Sequence, residues 1–367
     1  MKEALLVVVI VTALAFDFTN GFHDTANAVA ASISTRAMPP RIAVTYSAVL
    51  NFVGAFISLK VATTIASGIV STSATTTSVV FAALLGAIAW NLVTWWLGLP
   101  SSSSHALIGG LVGAAWAAEG AGAIQGTGIL DKVIVPAVLS PVLAFVVAWA
   151  SILLAYRVVG RRRPGVVNRG FKLGQVLSSG LLSLSHGTND GQKTMGVITL
   201  ALVAAGSISS THVYVPTWVI VASACSIAFG TYAGGWRIIK TTGMRIIKMD
   251  PSQGFAAQSA GAAAILAASH SGFPISTTHV INGGVMGAGA AKRLSAVRWG
   301  VAGNIVVAWM LTLPAAAGAA AGAYGLTRLL GGGMTGSLVL FVVGLLALLL
   351  IFGRRLLRPQ PVSVAQA

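Results

Sequence analysis

The sequence predicts an all-α polytopic membrane protein of two inverted-topology repeats, with about 10–12 transmembrane helices when short or re-entrant segments are counted. Three observations predict this. Of 367 residues, 56% are hydrophobic and only 8% charged, which is not the balance of a soluble domain. Apolar runs of helical length recur along the chain, without the period-two alternation of a membrane barrel. Two polar motifs each occur twice, in the same order.

The apolar runs of the first half cover residues 4–33, 42–62, 79–97, a shorter 106–118, and 133–156. Those of the second cover 173–205, 214–235, 254–268, a short 280–290, 299–324 and finally 338–352. The first part of the opening run, residues 4–14 with Ala13-Leu14-Ala15, resembles a signal peptide with its cleavage site, but Glu3 offsets Lys2 and weakens the basic start such a peptide needs. It reads as the first half of a retained helix. The expected organisation is a first repeat at 1–156, a basic linker at 157–172, a second repeat at 173–324, and an extra helix with a basic tail at 325–367.

The net charge of +16 would suggest nucleic acid in a soluble protein, but in a polytopic one it orients the loops. Arg36 and Arg41 form one cluster; Arg157, Arg161, Arg162, Arg163, Arg169 and Lys172 a second; Arg237, Lys240, Arg245 and Lys248 a third. Lys292, Arg293 and Arg298 make a fourth, and Arg354, Arg355 and Arg358 close the chain. All fall on one side if both short segments cross, leaving Lys2, Lys60, Lys132 and Arg328 opposite. That side is cytoplasmic by the positive-inside rule. The first half then crosses an odd number of times, so the second begins inverted. Cys225, the single cysteine, forms no intrachain disulfide and reads as packing.

The clearer motif pair is Pro100-Ser101-Ser102-Ser103-Ser104-His105 and Pro274-Ile275-Ser276-Thr277-Thr278-His279, each followed by three glycines: Gly109, Gly110 and Gly113, then Gly283, Gly284 and Gly287. Hydroxyl residues after a proline cap helix N-termini, and such an end presents free N–H groups and a positive dipole to an anion. Ser102, Ser103 and Ser104 with Ser276, Thr277 and Thr278 are therefore candidate anion ligands. Capping alone, with glycines for close packing, explains one motif, but duplication favours an anion clasp. His105 and His279 read as struts beside the caps or as proton relays; neither has a carboxylate close enough in sequence to suggest a metal.

The other pair is "GFHDTANA" from Gly21 and "GTNDGQKT" from Gly187. A carboxylate inside a membrane costs about 3 kcal/mol on insertion scales, and the chain holds only seven acidic residues. Asp24 and Asp190 therefore suggest function, although pairing with Lys193 purely for packing is an alternative. Asp17 lies two turns before Asp24 on a similar helix face. Gly21 and Gly187 suggest breaks at which backbone carbonyls, Asp24 and Asn27 would face a small hard cation.

At these residues the chain resembles the inorganic phosphate transporter (Pit) family, whose duplicated signature reads close to G-A-N-D-V-A-N-A. "GFHDTANAVA", "SHGTNDGQKTMG", "LPSSSSHALIGG" and "FPISTTHVINGG" carry the resemblance over nearly the whole chain. It implies phosphate uptake across the bacterial cytoplasmic membrane by a cation symporter, not an enzyme. It also implies that Asp24, Asn27 and Asp190 are core signature residues and that the two hydroxyl motifs face phosphate; Thr25 and Thr188 are further candidate phosphate ligands, and Asp17, His23, Asn189 and Lys193 further candidates for the coupling path. His23 and Lys193 replace signature asparagines. This version resembles the low-affinity bacterial branch, associated with protons and with divalent metal phosphate as substrate. Lys193 would occupy space that sodium uses in other members, so protons are expected over sodium.

No cofactor and no fixed metal site are expected. Phosphate and membrane lipid are the expected partners, nucleic acid is not, and a homodimer remains open. Another tetrahedral anion such as sulfate would use the same caps, and a channel would need no coupling residues. A serine hydrolase reading of "SSSSH" lacks the G-x-S-x-G elbow.

Overall fold

The structure, a computed structural model, describes residues 2–67, 69–70, 75–209 and 211–356, without the side chains of Lys2, Ser67 and residues 347–356. Arg358 and the end of the basic tail lie outside the described residues. Among the described residues only a lone bridge between Val70 and Ile124 is not helix, turn or coil. The first half comprises α1 (Lys2–Ser34), α2 (Pro40–Gly54), α3 (Lys60–Ser67), α4 (Thr77–Leu97), α5 (Ser103–Glu119), α6 (Gly126–Ile129) and α7 (Val135–Val159). The second comprises α8 (Pro164–His186), α9 (Gln192–Ala204), α10 (Thr217–Ala233), α11 (Trp236–Lys240), α12 (Pro251–His270), α13 (Thr277–Lys292) and α14 (Trp299–Leu329), followed by α15 (Gly333–Leu356).

Burial is inside out relative to a soluble protein. Side chains such as Val138, Leu154, Phe229 and Met310 face outward, while Asp17, Asn51, Gln175, Asn189 and Lys193 are buried. Lipid accepts the first set, and the second must find partners within the bundle. Among the described residues four helices are individually long and apolar enough to cross a membrane: Glu3–Ser34, Thr77–Leu97, Gly126–Val159 and Trp299–Leu329. Thr217–Ala233 with Trp236–Arg245 makes a further span bent by 59°.

Several expected segments differ in detail. The run 42–62 is divided between α2, which ends at Gly54 against the Leu184 carbonyl, and α3, which begins at Lys60. The basic stretch 157–172 is helical except at residues 160–163, where Pro164 starts α8 at the position a helix tolerates proline. The two short motif helices, α5 and α13, have 17 and 16 residues, about 25 Å each, below the roughly 30 Å hydrocarbon thickness. The expected break at Gly21 is absent: α1 is helical throughout, and a Cβ at Gly21 would strike the Ile227 carbonyl of α10. At Gly187 the helix widens into one π-helical turn, Gly187–Gly191, between α8 and α9.

Helix contacts are preserved when the halves are exchanged. α1 packs on α10 as α8 packs on α2; α5 on α14 as α13 on α7; α4 on α5 as α12 on α13. Individual glycines obey the same exchange. Gly54 abuts the Leu184 carbonyl and Gly230 that of Phe18; Gly109 and Gly113 abut Leu313 and Ala317, and Gly283 and Gly287 abut Pro141 and Phe145. A side chain at any of these positions would separate the backbones. Each motif helix is thus seated against the last helix of the opposite half.

Candidate functional site

The first turns of α5 and α13 adjoin at the centre of the bundle. Ser102 caps α5 by accepting from the His105 N–H at 3.1 Å, and Ser276 caps α13 by accepting from His279 at 3.2 Å. Ser104 Oγ donates to the Ile275 carbonyl at 3.3 Å, joining the two motifs. The rings of His105 and His279 meet edge to face, 4.7 Å between centroids, and Trp309 stacks on His279 at 4.1 Å. Trp309 also donates to the Pro100 carbonyl at 3.0 Å. Two helix N-termini in contact concentrate positive dipole ends and unpaired first-turn N–H groups in one place.

Signature side chains line this junction. On α1, Asp24 Oδ1 lies 2.7 Å from His23 Nδ1 and accepts from Thr278 Oγ1 at 3.3 Å. His23 Nε2 is 3.1 Å from Thr94 and 3.4 Å from Ser101. Asn27 Nδ2 donates to Thr278 at 2.9 Å and Thr277 at 3.3 Å. On the π-helical turn, Asp190 accepts from Thr277 at 3.0 Å, lies 3.0 Å from His186 Nε2, and forms an ion pair with Lys193. The Lys193 ammonium also reaches Ser104 Oγ and the Ile275 carbonyl, the latter at 3.0 Å. The α13 cap therefore bridges Asp24 and Asp190, and the α5 cap meets Lys193.

One ligand atom from each of Asp24, His186 and Asp190 lies within 4.8 Å of the others. These three could share a cation, though only in competition with the Lys193 ammonium on Asp190 and the imidazole on Asp24. Ser103 Oγ and the Asn27 Oδ1 are buried without a hydrogen bond, leaving polar capacity for a guest.

Not every expected residue reaches the junction. Thr25 donates to the Gly21 carbonyl at 2.6 Å and the Thr231 carbonyl at 3.1 Å, at the contact of α1 with α10. Thr188 donates to the Gly54 and Leu184 carbonyls at 2.9 and 2.8 Å. Both hydroxyls are occupied in helix packing. Asn189 is bound through Nδ2 to Ser269 and the Phe273 carbonyl. Asp17 is buried two turns from Asp24, beside Thr194 and Asn20. Sequence reasoning missed His186, Asn51, Thr94 and Ser101. His186 holds Asn51 Oδ1 at 3.1 Å, and its position four residues before Asp190 was a usable signal, since such residues share a helix face. Asn51 and Thr94 join only through tertiary contacts.

A lipid-facing helical bundle, duplicated about a buried acidic and hydroxyl-lined junction, defines a membrane transporter of the two-repeat kind. The chain belongs to the phosphate transporter family, whose model matches residues 20–320; it is a transporter and not an enzyme. It is 53% identical over 328 residues to a probable low-affinity inorganic phosphate transporter of Mycobacterium bovis, covering 89% of this chain and 79% of that one. Relatives with the same description in Rhizobium meliloti and Bacillus subtilis are 50% and 45% identical, covering 85% and 87% of this chain and 93% and 96% of theirs. A solved structure described as the sodium-dependent phosphate transporter superposes with a TM-score of 0.80 at 26% identity, over 89% of this chain and 99% of that one.

Proposed function

We propose that this transporter imports inorganic phosphate across the bacterial cytoplasmic membrane, as a divalent metal phosphate and in symport with protons. Phosphate binds between the α5 and α13 caps, through Ser102, Ser103, Ser104, Ser276, Thr277 and Thr278. Asp24 and Asp190 supply the acidic charge of the path, held by His23 and Lys193, with Asn27 donating to the α13 cap. Alternating access is a rocking of the repeats 1–156 and 173–324 about this junction, with the basic loops on the cytoplasmic face.

The energetics favour such coupling. Each negative charge moved inward against 100 mV costs about 2.3 kcal/mol, and near neutral pH phosphate carries between one and two charges. A divalent cation travelling with phosphate cancels most of that charge, and a co-transported proton then makes entry electrically downhill. The observation that carries protons over sodium is the Asp190–Lys193 ion pair, buried on both sides. It leaves the second repeat's carboxylate already neutralised by a fixed ammonium, where a sodium ion would otherwise gain its attraction.

Sodium is the second reading, because the solved relative is described as sodium-dependent. Phosphate uptake into proteoliposomes under separately imposed proton and sodium gradients, with and without magnesium, decides between them. Accumulation driven by protons and promoted by magnesium is the expected result. Accumulation driven by sodium alone would reject the proton assignment. Labelled sulfate that competed equally with phosphate would reject the substrate preference.

A further inference from the structure

We propose that Asp17 is the carboxyl that carries the coupling proton; the inference rests on the proton-symport reading above and names the group that performs it. Of the three carboxylates buried within the bundle, Asp24 and Asp190 are answered by histidine, threonine and lysine partners. Asp17 is 0% exposed, and neither of its oxygens has a hydrogen-bond partner of full geometry, Thr194 and Asn20 being the side chains close enough to donate to it. An ionised carboxylate in that condition is among the costliest groups a bundle can hold.

Its neighbours point to the remedy. Asn20 and Thr194 are its polar companions, and Asn20 Oδ1 and Thr194 Oγ1 are themselves buried and unpaired. As an anion, Asp17 can only accept, which leaves the Asn20 oxygen without a donor. With one proton it becomes donor and acceptor together: its O–H serves Asn20 Oδ1, and its carbonyl oxygen accepts the Thr194 hydroxyl. Thr194 can donate to either form of Asp17, so what the proton adds is a donor for Asn20 Oδ1 and the removal of an unpaired buried charge.

The duplicated fold shows that packing does not require this acid. When Asp24 is matched to Asp190, Asp17 is matched to Ser183, a neutral residue bonded to Ser47 at 2.9 Å and to the Ser179 carbonyl at 2.8 Å. The charged surroundings of Asp17 are Lys193 on α9 and Asp190 beside it, with Asp24 and its histidine further along α1. The facing α4 and α10 carry no Asp, Glu, Lys, Arg or His; α4 contributes the neutral Asn91, bonded to Thr19. On α8, His186 is held by Asn51 and Asp190.

Asp17 lies on the amino-terminal, outer side of Asp24 in the proposed orientation. A proton from outer water forms the Asp17 O–H bond as phosphate loads. In the inward-facing state that bond breaks, the proton passes to cytoplasmic water, and the carboxylate is restored.

The test uses the full chain in proteoliposomes enclosing a pH-sensitive dye, with magnesium and labelled phosphate outside. Asp17→Asn should reduce phosphate-driven proton entry by about tenfold or more and abolish accumulation under a pH gradient. Phosphate–phosphate exchange, which requires no net proton movement, should survive. Asp17→Glu should restore proton entry, and the infrared band of a protonated carboxyl should vanish in Asp17→Asn. Undiminished proton entry in Asp17→Asn would overturn the assignment while leaving proton symport intact. Loss of exchange together with proton entry in Asp17→Asn and Asp17→Ser would make the residue structural and also overturn it. Phosphate uptake without proton entry in the wild type would reject proton symport itself.

Discussion

The two half-sites share a scaffold and differ in chemistry. In the first, Asn27 donates two neutral hydrogen bonds to the α13 cap, and Asp24 is partnered by His23. In the second, the matching position is Lys193, which pairs with Asp190 and presents its ammonium to the α5 cap. The duplication thus supplies symmetry of position, while one substitution gives one side a fixed positive charge. That ammonium already balances Asp190, whereas in the first half-site Asp24 has only the His23 imidazole beside it. On the proton-symport proposal, the coupling ion is set by these few side chains.

The largest expected effect distinguishes the two aspartates. Asp190→Asn leaves the Lys193 ammonium buried and uncompensated, and should destabilise the protein by about 3–5 kcal/mol as well as abolish uptake. Asp24→Asn should abolish uptake with a much smaller fall in thermal stability, since no lysine is stranded. Paired uptake and thermal-denaturation measurements check this, and uptake that persisted in both variants would remove them from the path.

Lys193→Asn makes the second half-site resemble the first. Freed of its ammonium, Asp190 should gain sodium sensitivity, with sodium stimulating uptake by about tenfold, equivalent to about 1.4 kcal/mol of differential binding. Uptake at fixed pH across a sodium series measures it. Unchanged ion dependence would show that the difference between the half-sites does not set the coupling ion.

Gly109→Ala and Gly283→Ala test the scaffold itself. Each should lower stability by about 1–3 kcal/mol, because the added methyl meets a backbone carbonyl that cannot move aside easily. Matching losses in the two variants would confirm that the exchanged contacts carry equal weight. Ser102→Ala and Ser276→Ala should cost about 1 kcal/mol each through loss of the cap; a denaturation series comparing the two would reveal any inequality between the caps.

The sequence made the duplicated motifs legible because repetition separates a requirement from an accident. Ser102 and Ser276, Asp24 and Asp190 are found where capping chemistry and the rarity of intramembrane charge put them. Thr25 and Thr188 lie away from the junction because a threonine in a helix can bond back to the carbonyl four residues earlier, which motif membership does not reveal. The anticipated break at Gly21 failed for a related reason: glycine serves both unwinding and close approach, and only the neighbouring Ile227 backbone tells which. His186 was visible by helical spacing, whereas Asn51 and Thr94 became partners only through folding.

The seating of each motif helix against the opposite half also constrains how the chain is made. When α5 leaves the ribosome, the surface that will receive Gly109 and Gly113 lies on α14, and most of the second half has yet to be synthesised. Early in biogenesis the first half therefore carries an unfinished seam, and the central junction closes only when the last paired helix arrives. Insertion of the chain and closure of its central junction are, for this architecture, nearly the same event.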